Sequence, residues 1–110
     1  MQCDLEFPPI VEELGQLEAA ELEAVLNKVE TINKMTWAQV YSTSSKGPNK
    51  RGLNWEVLPE QTTASGNAIA SIRITKKFRA RVTRDGVFMR FISLHPDHDS
   101  AYKASGEEDI

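Results

Sequence analysis

The first third of the chain has the hydrophobic spacing of helices. After Glu18, apolar residues recur every three or four positions, at Leu22, Val25, Leu26, Val29 and Ile32. This spacing places the apolar side chains on one side of an amphipathic helix, with polar residues on the other side. Together with the residues that precede and follow this stretch, the pattern predicts helices across about residues 8–42.

Local signals predict where these helices begin. Pro8 and Pro9 suit a first helical turn, because a proline there loses no backbone donor that the helix needs. Thr36, followed three residues later by Gln39, resembles a capping box. We therefore expect the long helix to end near Met35 and a short helix to follow it.

The second half of the chain alternates between apolar and polar residues, as strands do. The alternation predicts strands over 53–58, 68–75, 78–84 and 87–95, with a polar loop at 59–67. Helices that precede a run of strands favour an α+β class, with the helices packed on one face of an antiparallel sheet. The chain length fits a single domain, with a sheet over about 53–95 and a C-terminal segment, 96–110, that includes a short helix.

A predicted tight turn at Asp85-Gly86 determines which side chains share a face of the sheet. A two-residue turn there pairs Arg84 with Val87 and places Arg81 opposite Arg90. One face then collects the apolar residues Ile72, Ile74, Phe78, Ala80, Val82, Met89 and Phe91. The other face collects Ser71, Arg73, Thr75, Arg79, Arg81, Thr83, Phe88 and Arg90. Like charges directly opposite each other repel, and an anion between them reverses that effect. The sequence therefore predicts an anion-binding face.

Charge is distributed unevenly along the chain, although its net value is only -3. Residues 1–45 carry 2 basic and 8 acidic side chains, whereas residues 46–90 carry 10 basic and 3 acidic ones. A basic middle segment favours an anionic partner, and pairing between the acidic helices and the basic sheet is the alternative.

The remaining composition argues for a protein of the cytoplasm. No apolar run has the length of a membrane helix, and the acidic start of the chain lacks the apolar core of a secretory signal. The single cysteine, Cys3, excludes an internal disulfide framework. We expect neither membrane association nor a cofactor.

The segment His95-Pro96-Asp97-His98-Asp99 contains residue types that bind metals. It is short, is interrupted by a proline and has no second ligand cluster, so we predict no metal site. Asp97 or Asp99 could cap a following helix. The histidines, with Tyr102 nearby, are candidates for proton transfer, because histidine titrates near neutral pH.

The run from Ser71 to Tyr102, preceded by two helices, resembles the RelE/ParE toxin superfamily. The resemblance rests on a strand ending in Arg73-Ile74, on Phe78-Arg79 opening the next strand, on the Asp-Gly hairpin, and on the histidine-containing segment closed by Tyr102. It implies helices packed on a small curved antiparallel sheet. It also implies a bacterial toxin that is neutralised by a cognate antitoxin and that cuts mRNA on the ribosome without a metal.

The resemblance also implies roles for individual residues. Arg73 and Arg79 match the cations that hold the scissile phosphate, Tyr102 matches a C-terminal catalytic tyrosine, and His98, or else His95, matches a nearby histidine. We expect the other cations to contact RNA, with His95 beside them; these cations are Lys46, Lys50, Arg51, Lys76, Lys77, Arg81 and Arg90. A DNA gyrase inhibitor of the ParE kind and a binding module without catalysis are the alternatives.

Overall fold

The computed structural model describes residues 1–42 and 53–96, and these form an α+β fold. A short strand and three helices come first, and four longer strands follow. In chain order the elements are β1 (Gln2–Asp4), α1 (Pro8–Gln16), α2 (Ala19–Asn33), α3 (Trp37–Tyr41), β2 (Glu56–Thr62), β3 (Ala68–Arg73), β4 (Arg79–Asp85) and β5 (Phe88–His95). The predicted fold class is therefore confirmed, whereas the predicted C-terminal helix lies outside the described residues.

The helices begin where the local signals predict. Pro8 and Pro9 occupy the first positions of α1. At the start of α3, the Gln39 backbone N–H donates to Thr36 Oγ1 at 3.1 Å, and the Thr36 N–H donates to Gln39 Oε1 at 2.9 Å. This reciprocal pair satisfies two helix-end donors and separates α3 from α2, as a capping box does.

The sheet is mixed rather than antiparallel. Its strand order is β1-β5-β4-β3-β2, and β1 runs parallel to β5 while the other neighbours are antiparallel. The sequence did not predict β1, because three residues carry too little alternation to indicate a strand. Tertiary contacts hold it: Gln2 pairs with Phe88, and the Cys3 N–H donates to Asn33 Oδ1 at 2.8 Å.

The first long strand, β2, lies further along the chain than predicted. It spans Glu56–Thr62 and includes Pro59, which we expected to begin a loop. Proline is tolerated here because β2 is an edge strand among the strands that the structure describes, so one side of its backbone has no described strand that requires an N–H donor. The pairing with β3 shifts between Leu58 and Thr62.

The β4–β5 hairpin has a different register from the predicted one. Asp85 pairs with Phe88, so the two loop residues are Gly86 and Val87. Gly86 has a φ of +62°, a conformation that favours glycine in tight turns. The predicted pairing of Arg84 with Val87 is therefore wrong.

Near the turn, the error in register leaves the side chains on their predicted faces. The pairing near the turn is displaced by two residues, and side chains alternate with a period of two. A further shift between Arg81 and Val82 places Arg81 opposite Ser93, while Arg90 pairs with Thr83. The predicted opposition of Arg81 and Arg90 is thus also wrong.

The helices cover one face of the sheet. Ile10, Val25 and Ile32 from the helices pack in one core with residues of the strands and of the β3–β4 loop that were predicted to share the apolar face, namely Ile72, Ile74, Phe78, Ala80, Val82, Met89 and Phe91. Burial of each large aliphatic or aromatic side chain contributes about 1.5–3 kcal/mol. None of the helices in the described ranges is long and apolar enough to cross a membrane. We call the opposite side of the sheet the open face.

Candidate anion-binding face

Three potential phosphate-binding side chains lie in one row across the open face. Arg73 of β3 pairs directly with Arg79 of β4, and Arg79 pairs directly with His95 of β5. Adjacent strands are separated by about 4.8 Å, and directly paired residues point to the same side of a sheet. We call these three residues the basic row. The strand pairing brings together residues that are up to 22 positions apart in the chain.

A second row lies beside the first. Ser71 pairs with Arg81, and Arg81 pairs with Ser93. Arg81 Nη1 donates to Gln61 Oε1 of the edge strand at 3.2 Å, so a neutral amide rather than a carboxylate holds this guanidinium. Ser93 Oγ and His95 Nε2 are 2.9 Å apart and share a hydrogen bond, which links the two rows along β5.

The two arginines of the basic row concentrate positive charge that the described part of the chain does not neutralise. Across 1–42 and 53–96, neither Arg73 nor Arg79 forms a salt bridge with a carboxylate. Within the same ranges, the buried Nε of Arg73 has no hydrogen-bond partner. Two unit charges about 5 Å apart repel by roughly 1–3 kcal/mol at effective dielectric constants of 80 to 20. An anion bound between the two side chains converts this repulsion into attraction.

Two lysines extend this charge at the end of the sheet. Lys76 and Lys77 are exposed on the loop that connects β3 to β4, directly between Arg73 and Arg79 in the chain. The loop is closed by the Ile74 N–H, which donates to the Phe78 carbonyl at 2.8 Å. Both lysines therefore lie at the same end of the strands as the basic row.

Arg90 differs from the other arginines of this face because carboxylates surround it. Its Nε lies 3.2 Å from Asp4 Oδ2, and its Nη2 lies 2.9 Å from Asp85 Oδ2. The Asp4 carboxylate also accepts a hydrogen bond from the Glu6 backbone N–H, which lowers its pKa, and Arg90 lowers that pKa further. Arg90 thus joins β1 to the hairpin, and its charge is balanced within the protein.

A carboxylate that the sequence did not single out lies beside the His95 end of β5. Glu13 of α1 accepts a hydrogen bond from the Leu94 backbone N–H through Oε1 at 2.7 Å. A cavity of about 450 Å³ adjoins this contact, and Glu13, Ser93 and His95 are among its lining residues. Glu13 satisfies a backbone donor at a place where β5 continues beyond its pairing with β1. No sequence pattern links two residues so far apart.

Five of the predicted site residues lie outside the described ranges. They are Lys46, Lys50, Arg51, His98 and Tyr102. Of the two candidate histidines, His95 is therefore the one whose position is described, and it ends β5. Its pairing with Arg79 gives it direct proximity to the cations that the sequence singled out.

Neither a relative nor a ligand cluster identifies this face. Comparisons of the chain with protein-family models, with curated proteins and with solved structures found no match. Within 1–42 and 53–96, no group of three or more histidine, cysteine, aspartate or glutamate side chains is arranged to hold a metal ion. The segment from Asp97 onward, which we considered as a source of ligands, lies beyond these ranges. The open face is therefore characterised by its cations and by His95.

Proposed function

We propose that this protein is a RelE-like toxin that cleaves mRNA, with the open face as its RNA-binding site. The observation that carries the proposal is the basic row, in which Arg73, Arg79 and His95 lie side by side across three strands. Arginine is well suited to this role because it stays charged and its planar fork matches two phosphate oxygens. The α+β architecture and the resemblance of the chain to the RelE/ParE superfamily point in the same direction.

The reaction that suits these residues is transesterification within the RNA chain. A base removes the proton from a ribose 2′-hydroxyl, and the oxygen attacks the adjacent phosphorus. The new O2′–P bond forms as the P–O5′ bond breaks, and an acid gives a proton to the departing 5′ oxygen. The products are a 2′,3′-cyclic phosphate and a free 5′-hydroxyl, so atoms and charge balance without an oxidant or a reductant.

Arg73 and Arg79 stabilise the transition state in this proposal. Negative charge increases on the phosphoryl oxygens as the pentacoordinate phosphorus forms, and two preorganised guanidinium groups interact most strongly at that stage. Removing one such preorganised group typically lowers the turnover rate by about 10²–10³-fold. Arg81 and the two loop lysines supply weaker, longer-range attraction along the RNA backbone.

Proton transfer is assigned to His95 together with the C-terminal candidates His98 and Tyr102. Histidine both accepts and donates protons near neutral pH. His95 shares a hydrogen bond with Ser93 and lies next to Arg79 in the sheet, and this position supports a role for its ring beside the proposed phosphate site.

The decisive experiment is inducible expression in bacteria, followed by primer-extension mapping of mRNA ends. Wild type should stop growth and produce new, ribosome-linked 5′ ends. Arg79→Ala should abolish both effects while remaining folded by circular dichroism. Lys34→Ala is the matched control, because it removes an exposed lysine at the end of α2 and should retain activity.

The alternatives give different outcomes in the same cells. Growth arrest with broken DNA and intact mRNA would identify a gyrase inhibitor and would overturn the cleavage proposal. Tight RNA binding without new mRNA ends would identify a binding module. Full toxicity of Arg79→Ala would remove the basic row from the mechanism.

A further inference from the structure

A second feature of the open face lies on the opposite side of Arg81 from the basic row. It is a cavity of about 410 Å³, which is within the range of small-molecule sites in proteins. The cavity floor is a third cross-strand set, in which Ile69 pairs with Thr83 and Thr83 pairs with Arg90. Phe7 and the turn after β2 are also part of its lining.

The lining of the cavity combines the aromatic ring of Phe7 with the side-chain amide of Asn67. Phe7 is 39% exposed and precedes α1. The backbone of Asn67 is held at two points, because its carbonyl accepts from the Thr63 N–H at 2.9 Å and its N–H donates to Thr63 Oγ1 at 3.0 Å. The Asn67 side-chain amide forms no hydrogen bond within the described ranges and is exposed. Its position is thus fixed while its donor and acceptor remain available.

The chemistry of this lining suits a nucleobase. An aromatic side chain can stack on any base, and an asparagine amide can donate to and accept from the edge of a base at the same time. None of the described residues that line the cavity is acidic, and the nearby carboxylates of Asp4 and Asp85 are paired with Arg90. Thr83 is buried and donates its hydroxyl to the Ala68 carbonyl at 2.7 Å, which makes the floor a fixed surface.

The position of the cavity relative to the cations suggests how a strand of RNA would lie. Thr83 is two residues from Arg81 and four from Arg79 along β4, which corresponds to about 7 Å and 14 Å at 3.4 Å per residue. A phosphate at the basic row and a base in the cavity are thus separated by a short stretch of single-stranded chain. Base pairing would bury the edges that Asn67 reads, so the occupant must be unpaired.

We infer that the Phe7–Asn67 cavity binds an unpaired nucleobase of the RNA whose phosphate is held by the basic row. This inference rests on the proposed function, since it assumes that the occupant of the open face is RNA. Charge complementarity supports that occupant, because the basic side chains and the cavity lie along the same strands, on the face of the sheet opposite the helices. The open face would then hold a site for one RNA base in addition to its phosphate site.

The test uses a short single-stranded 2′-O-methyl RNA with a fluorescent label, which cannot undergo attack by a 2′-hydroxyl. Binding is followed by fluorescence anisotropy for the intact oligonucleotide and for a series with one abasic position each. One abasic position should weaken binding to wild type by about tenfold or more, because a stacked base contributes a corresponding free energy.

Two cavity variants should remove this dependence on the base. Phe7→Ala should lower the affinity for the intact oligonucleotide by about tenfold. It should leave unchanged the affinity for the oligonucleotide whose abasic position weakens binding to wild type. Phe7→Trp should retain tight binding of the intact oligonucleotide. Asn67→Ala should reduce discrimination among bases at the same position. The slope of affinity against salt should stay as in wild type, because the phosphate contacts are retained. Val11→Ala, which removes an exposed apolar side chain of α1 away from the cavity, is the control.

The possible failures are distinguishable. Phe7→Ala and Asn67→Ala could bind the intact oligonucleotide as wild type does while Arg79→Ala binds it weakly. That result would contradict the inferred base site and support the phosphate site at the basic row. If wild type binds no oligonucleotide even at low salt, the proposed function fails as well. If Arg79→Ala binds like wild type and Phe7→Ala binds weakly, the proposed phosphate site at the basic row is contradicted and the base site in the cavity is supported.

Discussion

Arg73 lies directly opposite Arg79 across β3 and β4, and within the described ranges no carboxylate forms a salt bridge with either of them. Two like charges at adjacent positions of a sheet destabilise the folded state, and proteins usually separate or neutralise them. Arg90, another arginine of the open face, has two carboxylate partners. The contrast marks Arg73 and Arg79 as the pair that an external anion would stabilise.

Removal of one member of this pair should not harm stability. Arg79→Ala should leave the free energy of unfolding unchanged or raise it by up to ~1 kcal/mol at low ionic strength, because the repulsion from Arg73 is lost. Urea denaturation at low and high salt measures this, and the difference from wild type should shrink as salt screens the charges. Lys34→Ala should show no comparable salt dependence. A loss of about 2 kcal/mol or more would mean that Arg79 has a stabilising partner in the protein.

Inorganic phosphate should stabilise wild type more than it stabilises the Arg79→Ala variant. A ligand that binds only the folded state raises stability by mass action, and this raises the melting temperature as phosphate concentration increases. Differential scanning fluorimetry at constant ionic strength isolates binding from screening, with chloride as the compensating salt. Equal phosphate-dependent shifts in the two proteins would show that the anion binds elsewhere.

The Asp4–Arg90 contact should make stability depend on acidic pH. The pKa of Asp4 is lowered in the folded state by the Glu6 N–H and by Arg90. Its contribution is therefore present above the unfolded pKa of ~3.9 and is lost as pH falls through the lower folded pKa. Asp4→Asn should be less stable than wild type near neutral pH by up to ~1 kcal/mol, as is usual for a partly exposed ion pair.

Denaturation curves at several pH values measure this difference. The gap between wild type and Asp4→Asn should close as pH decreases below the unfolded pKa of ~3.9 and through the lower folded pKa, since wild-type Asp4 then becomes protonated. A gap that stays constant over this interval would show that the Asp4 charge does not contribute to stability.

Cys3 should be an unreactive thiol in the folded protein. Desolvation by burial raises its pKa to about 12, and the thiolate is the nucleophilic form. At pH 8 the folded protein should react with iodoacetamide at least about a hundredfold more slowly than the urea-unfolded protein, followed by mass spectrometry. Comparable rates in the two states would mean that β1 detaches readily from the sheet.

Two glycines offer a matched test of the hairpin turn. Gly86 has a φ of +62°, whereas Gly15 lies within α1 with open space around the position of a Cβ atom. Gly15→Ala should raise the free energy of unfolding by about 0.5–1 kcal/mol, because alanine favours the helix. Gly86→Ala should lower it by about 1 kcal/mol or more, since a side chain disfavours that backbone conformation. A neutral Gly86→Ala would contradict the turn placement at Gly86-Val87.

Local patterns alone determined the helix starts, the capping box at Thr36 and the face on which the side chains of β3, β4 and the first half of β5 lie. Each depends on residues within a few positions of one another, and the alternation of a strand survives a two-residue error in register. The sequence therefore indicated correctly that Arg79 and Arg81 point away from the apolar core.

Only the tertiary structure decided which of these side chains meet. The turn at Gly86-Val87 and the shift beside Val82 place Arg79 opposite His95, whereas the local pattern predicted Arg81 opposite Arg90. Strand β1, the Asp4 partner of Arg90, and the Glu13 contact with Leu94 all join residues far apart in the chain. The stability of these contacts depends on how whole helices and strands pack together, and this packing cannot be predicted from one short segment.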